Sequence, residues 1–237
     1  MAKRILAFSS SRTGSSGYLE TALPSIKNFL GNKPLHIVFI PFASADKDYE
    51  SYTHNIRTAL HSLSHNITTI KQDDTKNSIE QSDAIMVGGG NTFKLLHDIY
   101  DSNILNCIYN KISSGTPYIG WSAGSNILCP TIATTNDMPI IEPRSFNALG
   151  LLPFQINPHY INEIPSGYHG ETRNQRLEEF MKMNPGISVI GLPEGTALRL
   201  EDEVLQFIGP HKGVLLYKEE NSTHTEIADG DDLSFLL

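Results

Sequence analysis

A serine, a histidine and a carboxylate, each at the end of a short apolar run, are the side chains of this 237-residue sequence whose types suit a shared chemistry. Ser122 lies in Gly120-Trp121-Ser122-Ala123-Gly124, the G-x-S-x-G pattern in which a strand turns sharply into a helix and exposes a hydroxyl. Without Cβ atoms at 120 and 124, strand and helix can approach closely while the serine is held in a strained conformation. The helix that follows would aim the Ala123 amide at a developing oxyanion. His159 follows the run Phe154-Gln155-Ile156-Asn157, and Glu194 follows Ser188 to Leu192 in Pro193-Glu194-Gly195. A hydroxyl is a poor nucleophile at neutral pH, so an imidazole must take its proton, and a carboxylate must fix the imidazole tautomer and balance its charge. Those are the roles of a serine hydrolase. Alpha/beta-hydrolase esterases place the acid before the histidine; read in that order, this chain would pair Asp137 with His159, or Glu194 with His211 or His224.

The elements that must position these residues alternate. Strands are expected over Arg4 to Ser9, Leu35 to Pro41, Asn66 to Ile70, Ala84 to Val87 and the run before Ser122, with amphipathic helices between them. Tyr52, Ile56, Ala59, Leu60 and Leu63 form one such apolar stripe. All-apolar strands separated by helices predict an α/β fold with a parallel sheet covered on both faces, whose sites gather beyond the strand carboxyl ends. Gly88-Gly89-Gly90-Asn91-Thr92 and Ser122 both sit at such ends, and the triglycine frees a backbone amide for close approach to a ligand. Asn91 or Thr92 should cap the next helix, and Thr172 a helix reaching Met183. Residues 129–152, with prolines at 130, 139 and 143, read as a long functional loop. Ala197 to Lys218 reads as an antiparallel extension.

Composition narrows the partners. A hydrophobic content of 39% over 237 residues suits a single domain spanning 1–237. The net charge of -8 argues against nucleic acid or an anionic membrane as partner. Two cysteines and no long apolar N-terminal run point to a cytoplasmic protein. The loop Ser9 to Gly17 lacks the Lys-Ser/Thr ending of a phosphate-binding loop, and no metal-ligand spacing occurs, so neither nucleotide nor metal is expected.

Several motifs in order then resemble one family. Ile40-Pro41-Phe42-Ala43, Val87 to Phe93, Gly120 to Gly124, Cys129-Pro130-Thr131-Ile132 with Thr134-Thr135-Asn136-Asp137-Met138-Pro139, Ile156-Asn157-Pro158-His159, Gly170-Glu171-Thr172-Arg173 and Gly191 to Gly195 are similar to the peptidase E family of alpha-aspartyl dipeptidases. The resemblance implies a three-layer sandwich with a mostly parallel central sheet, like class I glutamine amidotransferases with serine in place of cysteine. It also implies a cofactor-free serine exopeptidase that cleaves Asp-Xaa dipeptides through an acyl-enzyme. Carried over, Ser122 is the nucleophile and His159 the base. Glu194 is the preferred orienting carboxylate, because a strand terminus holds it more firmly than a loop holds the alternative, Asp137. The amides of Gly90 and Ala123 are the oxyanion donors, and Arg173 grips the substrate's β-carboxylate through its planar fork. The rival readings are a cyanophycinase-like beta-aspartyl peptidase, a simple esterase and a non-catalytic small-ligand binder of the same fold. Monomer and homodimer both stay open.

Overall fold

Burial follows the apolar runs closely. The strands β1 (Ile5–Phe8), β4 (Ala84–Val87) and β5 (Tyr118–Trp121) are buried at every position, as they must be when helices cover both faces. The computed structural model describes residues 2–163, 166–167, 169–218 and 222–237. It sets these strands beside β2 (His36–Ile40) and β3 (Asn66–Thr69) in the order β3-β2-β4-β5-β1, every pair parallel.

Helices α1 (Leu23–Leu30) and α2 (Tyr49–Ala59) cover one face of this sheet. The other face is covered by α3 (Thr75–Glu80), α4 (Thr92–Asp101), α5 (Leu105–Ser113) and the short α6 (Ala123–Asn126). The two-residue strand period divides the core between the layers: Leu6 and Phe8 pack with Ile26 and Phe29, whereas Ile5 and Ala7 pack with Leu96 and Ile108. This is the three-layer arrangement expected from the sequence. Pro24 is accommodated because α1 begins at Leu23, leaving the proline in the first turn where it removes no hydrogen bond.

The C-terminal third departs from a single extended sheet. β8 (Ala197–Glu201) and β9 (Val204–Ile208) do extend the large sheet antiparallel past β1. β6 (Gln155–Pro158) and β7 (Val189–Leu192) instead pair parallel with each other and, with β10 (Gly213–Lys218) and β11 (Ser222–Ile227), form a second sheet ordered β11-β10-β7-β6. An apolar run looks the same whichever sheet it joins. Ile156, Ile190, Leu192 and Leu215 share one core with Ile5, Ala7 and Val87. The opposite face of the second sheet is covered by α7 (Arg173–Met183) through Leu177 and Met181.

Candidate active site

The turn out of β5 is tight by necessity. A Cβ on Gly124 would lie 2.3 Å from the Val87 carbonyl oxygen, and one on Gly120 would lie 2.6 Å from that of Gly124. With both absent, α6 sits directly over β4 and β5. Ser122 between them adopts φ 53° and ψ -112°, a conformation costing on the order of 1–3 kcal/mol that persists only where its surroundings over-determine it. Here they do. Ser122 N–H donates to Phe8 O at 3.1 Å, Ser125 Oγ donates to Phe8 O at 2.7 Å, and Tyr118 OH donates to Gly124 O at 2.6 Å.

His159 and Glu194 arrive from the second sheet. In the β6-β7 register Pro158 stands beside Leu192, so the chain segments leaving both strands emerge side by side. His159, at φ 52°, is turned toward the large sheet. Buried Ser9, at the end of β1, accepts the His159 N–H at 2.9 Å and donates to Leu192 O at 2.7 Å. The imidazole Nε2 lies 2.9 Å from Ser122 Oγ, and Nδ1 lies 2.8 Å from Glu194 Oε1. An ionised carboxylate only accepts, so the proton sits on Nδ1 and leaves Nε2 able to receive the serine proton. The imidazole side chain is 42% exposed and that of Glu194 46%, so this relay lies open to water.

Asp137 is elsewhere. Its Oδ2 accepts from Thr92 N–H at 2.7 Å, Thr92 Oγ1 at 2.6 Å and Thr135 Oγ1 at 3.1 Å. A carboxylate is well placed at the positive first turn of α4, and there it fastens the 134–138 loop. Of the two acids considered from sequence, Glu194 faces His159 and Asp137 does not.

The fastened loop reaches Arg173. Asn136 Oδ1 accepts from Arg173 Nη1 and from Asn157 Nδ2, while Asn136 Nδ2 donates to Pro158 O, the residue before His159. Arg173 itself opens α7, which Thr172 and Gln175 close with a reciprocal capping box. The guanidinium is thus held next to the strand that delivers the histidine.

The triglycine turn closes the site on the other side. A Cβ on Gly89 would lie 3.0 Å from Ser122 Cβ, so this backbone packs directly against the serine. Gly90 has φ 132°, and a Cβ there would come within 2.4 Å of Ala43 O; only glycine fits. Among the described residues no acceptor faces the N–H of Gly90 or of Ala123. The Ala123 amide directly follows the serine and the Gly90 amide belongs to the turn packed against it, and an unpaired N–H is the kind of group a developing oxyanion needs. No group of three or more His, Cys, Asp or Glu side chains among the described residues is arranged to hold a metal ion, and no helix among them is long and apolar enough to cross a membrane.

Sequence reading missed Ser9 and Asn136 as supports of the site. They gave no signal beyond membership of a loop or motif.

The sequence matches the profile of peptidase family S51 over residues 5–208. It is 48% identical over 240 residues to a protein named Peptidase E from Nostoc sp., covering 100% of this chain and 98% of that one. A Shewanella denitrificans protein of the same name is 45% identical, with 100% of both chains covered. Among solved structures, a putative peptidase E protein from Listeria monocytogenes superposes with a TM-score of 0.68 at 22% identity, covering 89% of this chain and 100% of that chain. A peptidase from an acI-B1 Actinobacterium gives 0.70 at 20% identity, covering 99% and 98%. These two likenesses show the fold, the class I glutamine amidotransferase-like sandwich.

Proposed function

This chain belongs to peptidase family S51 and is a serine dipeptidase, and from that premise we propose that Ser122, His159 and Glu194 hydrolyse dipeptides with N-terminal aspartate through an acyl-enzyme. His159 Nε2 takes the Ser122 proton as Oγ attacks the peptide carbonyl. The Gly90 and Ala123 amides receive the oxyanion, each donor contributing on the order of 10²–10³ in rate. The imidazolium then protonates the leaving amine, the C–N bond breaks, and the second residue departs. Water repeats the sequence on the acyl ester, with His159 again as base, and releases aspartate. Glu194 holds the imidazole and balances its charge, and Arg173 takes the β-carboxylate of the substrate, whose small size needs a local cation in a chain of net charge -8.

The observation that carries this reading is the unbroken hydroxyl-imidazole-carboxylate succession at 2.9 and 2.8 Å. A dipeptide panel tests it. Asp-Leu should be turned over well, and Asn-Leu, Ala-Leu and beta-linked aspartyl peptides poorly. Ser122→Ala should abolish turnover, and Arg173→Met should lose most of the preference for Asp-Leu over Asn-Leu. Full activity of Ser122→Ala would falsify the nucleophile, and an unchanged preference in Arg173→Met would reassign the pocket.

A further inference from the structure

Tyr52 lies on the buried side of α2, but its hydroxyl does more than fill the core. Its Oη accepts the Trp121 indole N–H at 3.2 Å and the Tyr18 hydroxyl at 3.0 Å. An indole nitrogen can only donate. With both neighbours donating inward, the Tyr52 proton goes to the Gly89 carbonyl, 3.0 Å away. Burial pushes the Tyr52 hydroxyl above its ordinary range, so the proton stays on and the donor persists at working pH. The ring has little freedom: Phe39 meets it edge-on at 5.0 Å, and a Cβ on Gly88 would come within 2.6 Å of the hydroxyl.

The held carbonyl has a consequence on its far side. Gly89 C=O and Gly90 N–H belong to the same trans peptide unit, so they point in opposite directions. With glycine on both sides, the chain's own backbone restrictions leave that unit more than one orientation. A hydrogen bond to one end therefore selects the direction of the other.

We propose that Tyr52 is a positioning residue for the reaction: by holding the Gly89 carbonyl it fixes the Gly90 N–H as an oxyanion donor, with Trp121 of the elbow locking the tyrosine hydroxyl. The oxyanion turn and the nucleophile are then set by one shared contact, since Trp121 precedes Ser122 directly. This rests on the reading of Ser122 as nucleophile and of Gly90 as donor.

Tyr52→Phe keeps the ring and removes the hydroxyl. The donor is then loosened rather than deleted, so kcat on Asp-Leu should fall roughly 10- to 100-fold, below or near the loss of roughly 10²–10³ for a missing donor, with KM within about twofold. Affinity for an aspartyl aldehyde, which forms a tetrahedral adduct with Ser122, should fall by a similar factor. Affinity for a reduced-amide Asp-Leu analogue, which forms no oxyanion, should not follow it. Trp121→Phe, which removes the lock but leaves the Tyr52 bond, should show a smaller loss of the same pattern and carries the test if Tyr52→Phe does not fold. Unaltered kcat in the folded variant, or equal losses for aldehyde and reduced amide, overturns the proposal. Ser122→Ala run in parallel separates the two levels. If it is inactive while Tyr52→Phe is normal, only the positioning role falls; if it is active, the reading of the site falls and this proposal with it.

Discussion

Replacing Glu194 by Gln isolates one charge at the site. The amide keeps an oxygen that can accept from His159 Nδ1, so what is lost is the attraction between carboxylate and the imidazolium that forms as Ser122 attacks. Two unit charges about 4 Å apart interact by about 1 kcal/mol in water and about 4 kcal/mol at an effective dielectric constant near 20. The His159 and Glu194 side chains are 42% and 46% exposed, which places the pair between those limits, at about 2 kcal/mol. At about 1.4 kcal/mol per decade, kcat/KM on Asp-Leu should fall roughly 30-fold. Because the pair is reachable by ions, the gap between wild type and variant should narrow as salt rises toward about 0.5 M. Asp137→Asn is the control, since an amide oxygen can still accept from Thr92 and Thr135, and its loss should stay within a few-fold. Initial rates of Asp-Leu hydrolysis at low and high salt decide the matter. A near wild-type Glu194→Gln beside an Asp137→Asn crippled a thousandfold would refute the assignment and its physical basis.

Two further outcomes concern the scaffold. Lys94 is buried, with its Nζ donating to Phe42 O, Tyr49 OH and Asp98 Oδ2; Asp98→Ala leaves that ammonium without its counter-charge and should cost about 3 kcal/mol in urea denaturation. Burial works against the Asp98 charge, but the Lys94 and His97 hydrogen bonds outweigh it and hold the carboxyl below its ordinary value of 3.8. With the folded value depressed, its stabilisation is present above about pH 4 and is lost as pH falls from there through the folded value, a component of acid unfolding the variant should lack. Gly124→Ala sets a Cβ 2.3 Å from Val87 O, a backbone clash that α6 must relieve by lifting; about 3 kcal/mol lost should lower Tm by roughly 6–12 °C, and an unchanged Tm would show that the elbow yields more easily than its packing indicates.

Local signals were legible because their causes are local. Gly120-Trp121-Ser122-Ala123-Gly124 had to be a tight turn, since only missing Cβ atoms let α6 descend on β4. Asn91 and Thr172 cap helices as expected, because an N-cap side chain bonds amides only a few positions ahead. β11 was not legible. Ser222-Thr223-His224-Thr225-Glu226-Ile227 is a mostly polar edge strand that pairs on one side only, so no apolar run marks it.

By itself, then, the sequence determined which residue types stand at strand exits and the layered α/β class, because burial and turn chemistry are written in short windows. Tertiary structure alone decided which exits meet. It put β6 and β7 in a separate sheet yet turned His159 back to Ser122 through Ser9, set the already preferred Glu194 rather than Asp137 against the imidazole, and gave the Tyr52 hydroxyl a carbonyl to hold. The physical reason is common to all of these: periodicity reports that a side chain is buried, whereas a hydrogen bond depends on which distant backbone group folding brings within about 3 Å of it.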